Sequence, residues 1–171
     1  MEIRTRRGQR GFTAIELLVA VMVLLIIVAA ATPFLLGTIQ NYRLRGGAWQ
    51  VGGDLRLARQ KSVAWGRPYR FTFKNKDDAS QPNSYIIERQ EAVGSWTRDP
   101  ENRIYLQTTG GPTYVMIDST STPVGGVLNF AANGTVPTAA TIEQNIELKD
   151  ARGKRYRVVI NFMGRVNVTK L

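Results

Sequence analysis

Between positions 12 and 39 the chain is apolar or small on every side, and its one charged residue is Glu16. As a helix this stretch would reach ~42 Å at the usual rise per residue, longer than the ~30 Å hydrocarbon core of a bilayer. A helix that is apolar all round belongs in lipid or inside a bundle. Pro33 removes the hydrogen bond to the carbonyl of Ala29 and crowds that turn. Gly37 weakens the same stretch, so a kink or local melting is predicted there, partly offset by the hydroxyl of Thr32. Beyond residue 40 the pattern becomes one-sided. Val51, Leu55, Ala58, Ser62 and Trp65 recur in steps of four and three, with Arg56, Arg59, Gln60 and Lys61 between them. That spacing predicts an amphipathic helix with one stripe on a globular body and a solvated opposite face. Gly46-Gly47 and Gly52-Gly53 predict a bend or break, and Gly66 with Pro68 predicts the helix end.

From Tyr69 onward short runs rich in aromatic and β-branched residues alternate with polar ones, which predicts half-buried strands at 69–73, 84–89, 104–107, 114–117, 127–131, 142–148, 155–162 and 165–168. Asn133-Gly134 and Met163-Gly164 predict tight turns, and residues 75–83 and 98–102 read as longer loops. No internal repeat is evident. The resulting architecture is α+β, one long amino-terminal helix packed on an antiparallel sheet.

Charge and composition then narrow the function. The chain has 171 residues, which leaves roughly 105 for one compact domain after the helical part. It has no cysteine and no histidine, which excludes disulfides and thiol chemistry and disfavours triads and zinc catalysis, so the chain reads as a non-enzyme without metal or cofactor. Arg4, Arg6, Arg7 and Arg10 precede the apolar run; the positive-inside rule therefore predicts a single-pass inner-membrane protein with a cytoplasmic amino terminus and a periplasmic carboxy-terminal domain. A secretory signal peptide cut after Ala29-Ala30-Ala31 and a plain signal anchor are the competing readings. Glu16 speaks against both, because a lone acid in the first turn of a membrane helix costs free energy unless a cation meets it. Residues 75–83 offer oxygens for calcium but lack the spacing of a calcium loop, and the glycines at 110–111 and 125–126 lack the setting of a phosphate-binding loop.

The residues Gly11-Phe12, then Glu16 four positions on, then an aliphatic run, resemble the processing site of type IV prepilins and pseudopilins. The resemblance implies that a prepilin peptidase cuts between Gly11 and Phe12 and methylates the new amine on Phe12. Residues four apart share a helix face, which puts the Phe12 nitrogen and the Glu16 carboxylate on one side. In a staggered bundle Glu16 would neutralise a neighbour's terminal amine and so drive assembly, with Pro33 and Gly37 lending extensibility. The soluble part points the same way. Leu57-Ala58-Arg59, Ser62-Val63-Ala64, Gly66-Arg67-Pro68, Phe130, Asn133-Gly134-Thr135 and Gly164-Arg165-Val166 are similar to the general secretion pathway protein H and FimT group of pseudopilins. The segments implied are a leader at 1–11, a transmembrane helix at 12–39, an amphipathic helix at 40–66 and a β-rich periplasmic pseudopilin domain at 67–171.

By this resemblance the chain is a minor pseudopilin of a type II secretion pseudopilus. Its partners would be other pseudopilins or pilins, the prepilin peptidase, an inner-membrane assembly platform and membrane lipid. The alternatives are a minor type IV pilin in pilus assembly or DNA uptake, and a non-polymerising binding module on a signal anchor. Arg152, Lys154, Arg155, Arg157 and Arg165, with Lys170, gather near the closing strands and suggest a nucleic-acid contact. DNA-binding members of the FimT-like group use a basic pair around the final Gly-Arg, yet Asn167 stands here at the second position. The competing reading of these cations is a solvated face that discourages edge-to-edge pairing of strands. Trp49 and Trp65 are expected to cover the seam between helix and sheet, and Trp96, in a loop, to be an interface residue.

Overall fold

The computed structural model describes residues 12–75, 77–78, 82–99, 104–106, 115–118, 123, 126–139 and 143–171, with the side chains of 33–36 and 105 also outside the description. The expected leader and Gly11, the strand ends at Gln107, Tyr114 and Ile142, the loop residues 100–102, the glycines at 110–111 and Gly125 lie outside the described residues. The chain divides into two compact units, Met1–Ile39 and Gln40–Leu171.

Helix α1 spans Ala14–Trp65. It runs without interruption through Pro33 and Gly37, and the Thr32 hydroxyl donates to the Val28 carbonyl at 2.8 Å rather than to that of Ala29. Nor does the helix break at its glycine pairs. Gly47 and Gly52 are points of close contact with the rest of their unit: a Cβ on Gly47 would stand 3.2 Å from the Val115 side chain, and one on Gly52 only 2.8 Å from that of Val168. The glycines therefore trade helix propensity for a close approach of helix and sheet. Gly66, at φ +63°, ends the helix in the left-handed conformation that a glycine adopts without steric cost.

The single expected sheet is two. β1 (Tyr69–Lys74), β2 (Ser84–Ala92), β3 (Ser95–Arg98), β4 (Ile104–Tyr105) and β6 (Val127–Phe130) form one, in the order β3-β2-β1-β6, with β3 and β4 pairing opposite ends of β2. β5 (Met116–Ile117), β7 (Gln144–Lys149), β8 (Arg155–Ile160) and β9 (Val166–Lys170) form the other, in the order β5-β7-β8-β9. All the pairings are antiparallel. β3 is a strand where a loop was expected. Trp96 therefore sits opposite Gln90 in the ladder, with the Arg70 guanidinium 4.4 Å from its ring centre. Four residues between turn signals are too few for alternation to declare itself. Trp65 packs its ring against Tyr69 and lies under Arg89, as a seam residue should, although it and Trp49 remain half exposed.

Alternation gives both sheets one buried face. Tyr69, Phe71 and Phe73 alternate inward on β1, Leu128 and Phe130 on β6, Ile146 and Leu148 on β7, and Val158 and Ile160 on β8. Leu44, Ala48, Val51, Leu55, Ala58 and Ser62 supply the helical stripe, and all but Ser62 belong to one continuous core with these strand residues. Ser62 is buried because its hydroxyl is satisfied by the Arg59 carbonyl at 2.8 Å. Asn83 joins the sheets: at φ +53° it adopts a left-handed conformation that asparagine tolerates, and its side-chain oxygen accepts from the Ile117 amide at 2.9 Å.

Candidate functional site

Two places concentrate chemistry, the start of the helix and the end of the closing strands. At the first, Thr13 precedes the helix as its cap. Its hydroxyl oxygen accepts from the Glu16 amide at 3.3 Å, while the Glu16 carboxylate accepts from the Thr13 amide and hydroxyl, both at 3.1 Å. This reciprocal capping box satisfies donors that every helix start leaves open. It also places a negative charge against the positive end of the helix dipole. The sequence reading assigned Glu16 to assembly and overlooked this local role, although Thr13-Ala14-Ile15-Glu16 carries the pattern of a capping box. The carboxylate is thus held facing the amino-terminal end, on an exposed helix whose flanking residues Phe12, Ile15 and Leu17 are 87, 66 and 64 % exposed.

The basic residues of the closing strands do not form one cluster. β8 leads away from the β7–β8 turn that holds Arg152 and Lys154, so Arg165, in the β8–β9 turn, lies ~20 Å further along. Asp150 organises the first turn, its side-chain oxygen accepting from the amides of Arg152 and Lys154 at 3.0 and 2.9 Å. The Lys154 ammonium donates to Asn41 at 2.7 Å. Arg155 and Arg157 lie on the sheet face away from the core, where both meet Glu147. Arg157 donates through two nitrogens to one carboxylate oxygen at 2.9 and 2.6 Å, and Arg155 stands 3.7 Å from the other. Glu147 sits directly opposite Arg157 in the ladder and is only 8 % exposed under the two guanidiniums. These arginines serve first to cover a carboxylate. Lys170 is exposed and pairs opposite Tyr156, at the Lys154 end of the strand.

Arg165 has different company. In its turn the Arg165 amide donates to the Asn161 side chain and the Gly164 amide to the Asn161 carbonyl, both at 2.9 Å. Gly164, at φ +71°, is pressed onto the carbonyl of Gly134 and the side chain of Arg59, which would stand 2.8 Å from any Cβ there. Arg59 in turn donates to the Gly134 carbonyl at 3.2 Å, and Arg56 to that of Val166 at 3.1 Å. Both arginines were expected to face solvent. They were legible in another way: Gly52, Arg56, Arg59 and Val63 repeat the four-three-four steps of the buried stripe, displaced one residue to its side. A row so placed borders the packed face, where a long side chain reaches past the seam. In the remaining loop, Lys74 pairs with Asp78 at 2.9 Å, the Asp77 amide donates to Asn75 at 3.0 Å and the Asn83 side-chain oxygen is taken by the Ile117 amide; Lys76 and residues 79–81 of the calcium reading lie outside the described residues.

Comparison with known proteins agrees with this geometry. The family model of the type II transport protein GspH matches residues 47–164, and the prokaryotic N-terminal methylation motif matches residues 6–32. The fold is similar to the minor pseudopilin EpsH from the type 2 secretion system of Vibrio cholerae, at 13 % identity and a TM-score of 0.55 over 75 % of this chain and 97 % of that one. It is similar also to the type IV minor pilin FimU of Pseudomonas aeruginosa, at 19 % identity and a TM-score of 0.54 over 75 % and 90 % of the two chains. The solution structure of Escherichia coli GspH matches at 15 % identity and a TM-score of 0.50, over 76 % of this chain and 89 % of that one. No curated protein is similar in sequence at a significant level.

Proposed function

Because the chain belongs to the family of the type II transport protein GspH, we propose that it is a minor subunit of a type II secretion pseudopilus, anchored in the inner membrane and assembling through its amino-terminal helix. The observation that carries this reading is an apolar helical surface that is exposed among the described residues, with one carboxylate held at its start. From Leu17 to Val28 the large apolar residues are 47–69 % exposed. Lipid covers such a surface before assembly, and the helices of neighbouring subunits cover it afterwards.

Cleavage between Gly11 and Phe12 by the prepilin peptidase frees an amine on Phe12, which the same enzyme methylates. The capping box with Thr13 holds the Glu16 carboxylate beside the helix start, where an amine brought by a neighbour can meet it. An ion pair formed out of water is many times stronger than one in water, and it neutralises an acid that is costly in lipid. Pairing of this kind rewards one axial stagger between subunits and penalises others. The basic leader holds the amino terminus in the cytoplasm until it is removed, so the sheets fold in the periplasm. An assembly platform and its ATPase supply the force, and growth of the filament pushes folded proteins through an outer-membrane channel.

The test is the amount of protein in sheared filaments. Glu16→Ala is expected to reduce it at least tenfold while cleavage and membrane abundance stay normal, and normal incorporation of that variant would contradict the proposal. Loss of protein export with surface pili intact in a strain lacking this chain separates secretion from a pilus role, and the reverse outcome assigns the chain to pili.

A further inference from the structure

Arg56 and Arg59 of helix α1 and Arg165 of the β8–β9 turn line one open pocket of about 280 Å³, together with Gln60, Gly164 and Val166. Two of the three guanidiniums are fixed in place by backbone carbonyls, Arg56 by Val166 and Arg59 by Gly134, each through a single nitrogen. An arginine has five N–H donors, so one such bond fixes the group and leaves most of its donors for a ligand. Among the described residues no carboxylate forms an ion pair with Arg56, Arg59 or Arg165, whereas Arg67, Arg70, Arg89, Arg155 and Arg157 all have one. Three like charges round one pocket repel each other, and an anion seated among them relieves that repulsion.

The turn beside the pocket adds a second, independent observation. Phe162 and Met163 at its tip are 43 and 59 % exposed. The tip is braced by hydrogen bonds: the Val136 amide donates to the Phe162 carbonyl at 2.8 Å, and Asn161 closes the turn from within. An exposed aromatic and a methionine on a braced turn, next to arginines with donors to spare, have the composition of an interface centre.

Charge selects the occupant. Residues 40–171 hold 19 basic and 11 acidic residues, a net charge of +8. A second copy of this chain would bring the same sign of charge to the pocket. Nucleic acid would need a continuous track of cations for its row of phosphates, but Arg155 and Arg157 are engaged by Glu147 and Lys154 by Asn41. An open pocket of this size has room for an acidic side chain together with its flanking backbone. We propose that the pocket of Arg56, Arg59 and Arg165, with the Phe162-Met163 tip, docks an acidic segment of a different protein subunit by receiving one of its carboxylates. Placing that partner next to this chain in a filament rests on the function proposed above.

The test uses the full chain in detergent micelles and a fluorescein-labelled hexaglutamate peptide, read by anisotropy. The expected result is saturable one-to-one binding, weakened at least tenfold by Arg165→Gln and by Arg56→Gln, and unchanged by Arg98→Gln, an exposed arginine on β3. Met163→Ser, which leaves the charge intact, is expected to weaken a Glu-Glu-Phe-Glu-Glu peptide more than hexaglutamate. Equal weakening by Arg98→Gln overturns the proposal, since the attraction is then general. Absence of binding overturns it too, as does a 12-base-pair DNA duplex that displaces the peptide and depends on Arg165 in the same way. Binding in micelles needs no polymerisation. An unaltered chain that enters filaments normally yet fails to bind the peptide therefore refutes the docking site alone, and an unaltered chain that binds the peptide yet fails to enter filaments refutes the filament role alone.

Discussion

Leu24 and Leu55 are the same residue in the same helix, yet Leu24 is 59 % exposed and Leu55 is wholly buried. Around Leu55 the apolar residues keep to a stripe, and the chain builds two sheets that cover it. Around Leu24 they occupy every side, and among the described residues no element of the same compact unit covers them. The difference lies in the pattern of the sequence and not in its hydrophobicity. A stripe can be satisfied by one partner from its own chain, whereas an all-round apolar surface has to be enclosed from several directions. The carboxy-terminal half of the helix is thus written for surroundings that its own unit supplies, and the amino-terminal half for surroundings that the described residues of its unit do not.

The comparison is broken most severely at the core. Leu55→Ala is expected to destabilise the protein by ~4 kcal/mol, the range for a fully buried leucine, while Leu24→Ala changes stability in micelles by less than about 0.5 kcal/mol. Urea unfolding of both variants checks this, and equal losses would erase the distinction drawn between the two halves. Gly164→Ala comes next, at ~3 kcal/mol, because it forces a Cβ onto the Gly134 carbonyl and Arg59 at a left-handed φ of +71°. Thermal unfolding measures that loss, and a variant of native stability would show that the clasp between helix and final hairpin is loose.

The third and smallest effect is one of pH. Burial, and then the hydrogen bond that its hydroxyl donates to Asp54, raises the Tyr85 phenol above its ordinary value of 10.0. A group whose folded pKa is raised contributes its full stability below the unfolded pKa and loses it as pH rises beyond. Above pH 10 the unfolded chain ionises at this tyrosine while the folded one does not, so stability should fall by about 1 kcal/mol between pH 10 and 11. Tyr85→Phe should flatten that limb in unfolding curves taken from pH 8 to 12. An unchanged slope would show that another group governs alkaline stability.

Much of this architecture could be read from the sequence because period and punctuation agree in it. The stripe from Val51 to Ser62, the stop at Gly66 and the strands at Tyr69, Ser84, Val127 and Arg155 all follow from local alternation and turn residues. What was illegible depended on contacts distant in sequence. The glycines at 47 and 52 read as weak points in a helix, and only residues more than sixty positions later show that they are points of close approach. β3 is too short to announce itself, and division into two sheets is decided by pairing partners, which alternation does not reveal. At the candidate sites, Glu16 was identified by its isolation in an apolar run. Of the basic residues near the end, Arg165 alone stands at the far turn, because β8 carries the chain away from the turn that holds Arg152 and Lys154. Arg56 and Arg59 looked solvated because a side chain that crosses a seam has the same periodicity as one that faces water.

The central claim is that the processed chain begins at Phe12 and that its helix is enclosed by neighbours in a filament. Mass spectrometry of the amino-terminal peptide from sheared filaments tests it most directly. The account predicts a methylated amino terminus on Phe12 in the filament fraction. An intact start at Met1, or a start at Thr32, on the functional protein would contradict it.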